Sequence, residues 1–171
     1  MVVRREPDSV LFSFSLLERK VLERALKMLL QNYRINPAEL DERAAAVWYS
    51  PAGCLTAGLT AEETADWIKQ LHAVRCGRIA VIEDSLRQLT EHHESPPALL
   101  VKLEQADALM TALNDHRLLI AAHQNIGEAE MNMRTLAALT RLPPRQQTAL
   151  FEIEFFAYII DELVHLMAGP A

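Results

Sequence analysis

Two arginines in this sequence stand where a cation costs most. On a helical wheel Arg117 falls in the middle of an apolar stripe made by Leu99, Leu103, Ala106, Met110, Leu113 and Ile120. Arg75 falls in the middle of another, made by Ile68, Leu71, Ile79, Ile82, Leu86 and Leu89. A buried guanidinium without a partner is costly, so each requires a carboxylate or a carbonyl. Two accounts fit. The arginines snorkel to an edge or grip carboxylates that fix register, or they line a pocket for an anionic ligand or a partner's acidic peptide. The second account admits an anion-binding or hydrolytic enzyme using Arg75 and Arg117.

Asp115 stands two residues before Arg117 and invites a salt bridge between them. On a helix such neighbours project about 160° apart, so each must tie a different element to its helix. Asp161 and Glu154 share a polar stripe with Tyr158 and His165 on the last predicted helix and are the best anions for Arg117. Arg75 or Arg78 is the best cation for Asp115. If Arg117 and its carboxylate are buried together, Arg117→Ala is expected to cost roughly 3–5 kcal/mol.

Other chemistry-bearing residues point less far. Glu162-x-x-His165 has the spacing of di-iron and di-manganese bundles, because residues three apart share a helix face. Such a site needs a second motif, and no other histidine has an acidic residue three positions before it. No metal or other cofactor is expected. His116 and His123 are seven apart on a face that includes Lys102 and Gln105, so both are expected in solvent. Cys76, in a helix interior beside Arg75 and Gly77, reads as a packed thiol. There is no GxSxG elbow, glycine-rich phosphate loop or HExxH. Asp107 and Asp115 could serve as general acid or base, but no substrate pocket can be inferred around them, and the reading leans away from an enzyme.

The elements that must position these residues are helices. Ser15 and Glu18 have capping-box spacing for a helix to about Tyr33, with Leu22, Leu26, Leu29 and Tyr33 at helical intervals. Asn36-Pro37 opens a shorter helix, and residues 50–59 read as the longest loop. Thr60 and Glu63 start a helix of about 31 residues, and Pro96-Pro97 starts a second that ends near Asn125 with Gly127 as its left-handed cap. Both would span roughly 45 Å and fold at residues 92–95 as an antiparallel hairpin. Glu128–Arg141 is a weaker helix, and Pro143-Pro144 leads into the last one. The expectation is a single all-α domain over 1–171, a helical bundle built around one long hairpin, with a short extended start at Val10–Phe14.

Composition narrows the function classes. The net charge of −6 disfavours a nucleic-acid binder, and transcriptional regulation with it. Cys54 and Cys76, without CxxC spacing, suit a reducing compartment. Arg4, Arg5, Glu6 and Asp8 interrupt any signal-peptide apolar region, and Phe151–Met167 carries too many acids for a membrane span. A cytoplasmic location is expected.

The string Leu113-Asn114-Asp115-His116-Arg117-Leu118 resembles the LNDxRL signature of an uncharacterised bacterial family, domain of unknown function number two thousand and seventeen. Arg4-Arg5 with Leu17-Glu18-Arg19, and the closing stretch Leu150–Leu166, are similar to that family's start and final helix. The sequence departs from the family after the string, at Ile120–Gly127. The resemblance implies a fold more than an activity. Because members are often encoded beside the adaptor of the Clp protease, it also implies a place near regulated proteolysis. The closing helix, apolar nearly all round, is either central or part of an interface. The leading expectation is therefore a non-enzymatic interaction or regulatory protein with a protein partner, self-associating as a homodimer.

Overall fold

The computed structural model describes residues 1–50, 58–91, 97–133 and 139–169. Val10, Phe12 and Phe14 alternate with less buried neighbours, the period of a half-covered strand. The segment accordingly contains a strand, β2 (Ser9–Ser13). It has a partner on each side. β1 (Val2–Arg5) pairs antiparallel with Val3 opposite Phe12, and β3 (Ala98–Lys102) pairs antiparallel with Val101 opposite Val10 and Leu99 opposite Phe12. The result is a three-stranded sheet in the order β1-β2-β3.

The sheet corrects the all-α reading, although the described chain is mostly helical. Residues 98–102 were expected in a helix because Leu99 lies four before Leu103. Leu99 and Val101 are instead both buried, while Leu100 and Lys102 are exposed, which is strand alternation. An unpaired edge of β2 needs a partner for its backbone, and this segment supplies it. The outer edge of β3 is itself covered. The Gln88 side-chain amide accepts from the Leu100 N–H at 2.9 Å and donates to the Leu100 carbonyl at 3.3 Å.

The helices that follow the capping boxes start as their sequences require. α1 (Leu16–Arg34) is capped by Ser15 with Glu18, and it buries Leu22, Leu26, Leu29 and Tyr33. A 3₁₀ turn (Pro37–Glu39) leads to α2 (Glu42–Trp48), whose first amides bond Asp41. α3 (Ala61–Cys76) is capped by Thr60 with Glu63. The expected 31-residue helix does not run on: at Gly77 the pattern tightens, with the Arg78 N–H donating to the Arg75 carbonyl at 3.0 Å, and α4 (Ile79–Glu91) begins. Gly77 keeps right-handed φ and ψ, so the break is a change of hydrogen-bond register rather than a left-handed stop.

The long hairpin is therefore not found in the expected form. Its first arm is divided at Gly77, and its second is β3 followed by α5 (Leu103–Gln124); its turn at 92–95 lies outside the described residues. α5 ends on Asn125, whose φ of 51° makes it the left-handed cap expected at Gly127. The Ile126 N–H reaches back to the Ala121 carbonyl, closing a Schellman-type end. Of the expected 128–141 helix, α6 (Glu128–Met131) is described, and residues 134–138 lie outside the described set. The last helix, α7 (Pro144–Ala168), packs chiefly on α5. It buries Ile153, Phe156, Ile159 and Leu163, and exposes Phe151, Tyr158, Val164 and Met167. No helix among the described residues is long and apolar enough to cross a membrane.

Candidate functional site

On α5 a buried carboxylate, Asp115, meets several neighbouring elements at once. Asp115 is 6% exposed. Its Oδ2 accepts from the Tyr33 hydroxyl at 2.7 Å, from Arg75 Nε at 3.1 Å and from Arg78 Nη1 at 3.2 Å, and its Oδ1 accepts from Arg75 Nη2 at 3.4 Å. Its backbone carbonyl accepts from Trp48 Nε1 at 3.0 Å. One residue thus ties α5 to α1, α2, α3 and the step between α3 and α4. Burial, then the neighbouring Asp115 charge and its hydrogen bond, push the Tyr33 hydroxyl far above its ordinary range, so Tyr33 stays a donor.

The cluster holds more positive charge than negative. Arg75 and Arg78 share one carboxylate. Arg75 is also sandwiched by aromatic faces, with Cζ 4.9 Å from the Tyr49 ring centre and 5.5 Å from that of Trp48. Tyr49, stacked on Arg75, also lines a cleft of about 670 Å³ with Arg34, Lys69, His72 and apolar Ala45 and Ile68, and Arg34 is paired with Glu83. No acidic residue is among its described lining residues, which leaves Lys69 as its one lining cation without an ion pair among the described residues.

Tyr49 links the cluster to a second group. Its hydroxyl lies 3.2 Å from His72 Nδ1, and His72 Nε2 lies 3.5 Å from Cys76 Sγ, which donates to the Tyr33 carbonyl at 3.3 Å. Burial raises the Tyr49 hydroxyl above its usual range, and the Arg75 charge partly offsets this.

The residues of the Leu113–Leu118 string divide between two sides of α5. Arg75 and Asp115 meet. Arg117 does not bond Asp115, nor does it reach Asp161 or Glu154, the anions expected for it. Arg117 Nε donates to the Ile153 carbonyl on α7 at 3.1 Å, and Nη1 donates to Asn114 Oδ1 at 3.3 Å. Glu154 and Asp161 are exposed on α7. The stripe that groups them with Tyr158 and His165 is a true helix face, but it faces solvent. The inward carboxylates are Glu152 and Glu162, which grip Arg24 and Arg5 from α1 and β1. Glu162 therefore turns away from His165, whose Nδ1 meets the Asp161 carbonyl at 2.7 Å. With no buried carboxylate to strand, Arg117→Ala is expected to cost about 1 kcal/mol rather than several, measured by urea denaturation.

His116 also departs from expectation. It is 2% exposed, edge-on to Phe156 with ring centres 5.2 Å apart, because α7 covers a flank of α5 that the wheel assigned to water. His123 is exposed, 3.2 Å from Asp41. Arg78, named with Arg75 as a cation for Asp115, does bond it, whereas Tyr33, Trp48, Tyr49 and His72 were not singled out as site residues from sequence. The one available signal was His72 lying four before Cys76, which places both on one helix face. Compared with protein-family models, curated proteins and solved structures, the chain matches none of them.

Proposed function

We propose that this chain is a non-enzymatic regulatory protein whose cleft between the 3₁₀ turn, α2 and α3 binds a small ligand with an anionic end and an apolar body. The observation that carries this reading is the surplus cation. Two guanidiniums share Asp115, one of them, Arg75, stacked on Tyr49, while Lys69 stands at a cleft with no acid among its described lining residues, beside Arg34, which is paired with Glu83. Its volume suits a small molecule, and Ala38, Ala45, Ala65 and Ile68 supply the apolar contact. Bound negative charge would be felt at Tyr49 and, through the stacked Arg75, at the Asp115 cluster. A binder that biases such a junction can regulate without turning anything over.

The hydrolytic alternative finds less support. The Asp115 oxygens are occupied by donors, and Arg75 and Arg117 serve opposite sides of α5. Titration calorimetry with dodecanoate tests the proposal. Dodecanoate is expected to bind, dodecan-1-ol to bind at least tenfold more weakly, and Lys69→Glu to weaken dodecanoate about tenfold, or 1.4 kcal/mol. Equal binding of the alcohol, or none of either, would defeat it.

A further inference from the structure

Cys76 is placed as a nucleophile is placed, with a base beside it and a third group orienting the base. His72 Nε2 is 3.5 Å from Cys76 Sγ, and the ring's other nitrogen is held 3.2 Å from the Tyr49 hydroxyl. His72 and Cys76 are four apart on α3, so one helix face fixes their relation. The sulfur is half-buried rather than sealed, and His72 and Tyr49 both line the cleft. Nucleophile, base and orienting group within hydrogen-bond reach is the arrangement that activates a thiol. Nothing in the Asp115 cluster requires it: Asp115 binds Arg75, Arg78 and Tyr33, whereas His72 meets Tyr49 and Cys76.

We propose that Cys76 is a site of reversible thiol–disulfide exchange with low-molecular-weight anionic disulfides. The Sγ–H turns from the Tyr33 carbonyl to His72 Nε2, which takes the proton, and the thiolate attacks one sulfur of the disulfide. A new S–S bond forms at Cys76 as the reagent's own S–S bond breaks, and the departing thiolate leaves with the proton returned by His72. Cys76 is oxidised and the departing sulfur reduced, so the exchange balances without another oxidant. Anionic reagents are favoured because Lys69 stands at the cleft, beside the Arg34–Glu83 pair. Tyr49 is a positioning residue, holding the imidazole through Nδ1.

The position gives the modification a consequence. Cys76 follows Arg75 and precedes Arg78 by two, and both arginines hold Asp115. A mixed disulfide takes the sulfur from the Tyr33 carbonyl, at the point where α3 passes into α4. This inference stands on the Cys76–His72–Tyr49 geometry and is independent of whether the cleft takes an apolar anion.

Oxidised glutathione is the probe, on the folded full chain carrying Cys54→Ser, with peptide mapping of the wild-type chain as the check if that variant is unstable. A single adduct at Cys76 is expected. Exchange is expected to be about tenfold slower in His72→Gln and slower by a smaller factor in Tyr49→Phe, each confirmed folded by its thermal transition. His72→Gln reacting at the parent rate would overturn the proposal, as would an adduct that forms only on unfolding. If His72→Gln does not fold, Tyr49→Phe reacting at the parent rate overturns it equally.

Discussion

Asp115→Ala is expected to destabilise this protein by about 3–5 kcal/mol, the largest single-residue effect outside the apolar core. The loss is not the sum of its hydrogen bonds, which in water are exchanged for others at small net gain. It comes from what stays behind. Arg75 and Arg78 have side chains only 11% and 18% exposed, and without the carboxylate they face each other with no anion between them. The Tyr33 hydroxyl, on a fully buried side chain, loses its acceptor as well. Tyr33→Phe removes one donor and leaves the ion pairs, so about 1 kcal/mol is expected there. Urea denaturation of the two variants separates the cases, and near-equal losses would show that the charge carries none of the effect. Asp115→Asn should fall close to Asp115→Ala, because an amide keeps the shape and still leaves two cations uncompensated.

The second large effect is a pH dependence set by His116. Burial, then the charge of Arg24, push its imidazole down from 6.5 to about 4. Its Nδ1 has no hydrogen-bond partner among the described residues. The folded state therefore holds the ring neutral where the unfolded chain would protonate it. The contribution is fully present above pH 6.5, because both states are then neutral. As pH falls below that value the unfolded state binds a proton that the folded state refuses, and stability drops until the folded ring also titrates near 4. The whole fall is about 3 kcal/mol. His116→Phe keeps a ring against Phe156 and removes the titration. The difference in unfolding free energy between parent and variant should thus change by about that amount between pH 7 and pH 4. The difference is the proper observable, since Asp41, Asp84 and Glu18 have lowered values of their own and lose stability in the acid range in both proteins. A difference that stays flat with pH would mean that water reaches the ring.

How far the sequence discloses this architecture depends on the kind of signal. Helix starts were legible because they are local: Ser15 with Glu18 and Thr60 with Glu63 satisfy amide donors within four residues. β3 was not, because Leu99 and Leu103 satisfy a helical stripe as well as Leu99 and Val101 satisfy a strand. Only the distant β2 decides between them. The partner of Asp115 could be named in advance, since a buried carboxylate at that height needs a cation and few were available. The partner of Arg117 could not, because the wheel gives the membership of a helix face and not which way the face turns. On α7 the face of Glu154 and Asp161 turns to water, and the helix spends a backbone carbonyl, Ile153, on the arginine instead. His116 was misplaced for a related reason. An amphipathic wheel assumes one buried side, and α5 packs against α1 and α2 and, most extensively, against α7.

The signature string is thus a set of internal joints: Leu113 and His116 in the core, Asp115 toward α1 to α4, and Arg117 with Asn114 toward α7. The proposed binding surface lies beside those joints, at the cleft of Tyr49, Lys69 and His72. Backbone amide shift mapping during a dodecanoate titration tests that division most directly. The account predicts saturable shifts at Tyr49, Ile68, Lys69 and His72, carried on to Arg75 and Arg78, with Arg117 and exposed Leu118 unmoved. Shifts centred on Arg117 and Leu118 with a silent cleft would contradict it.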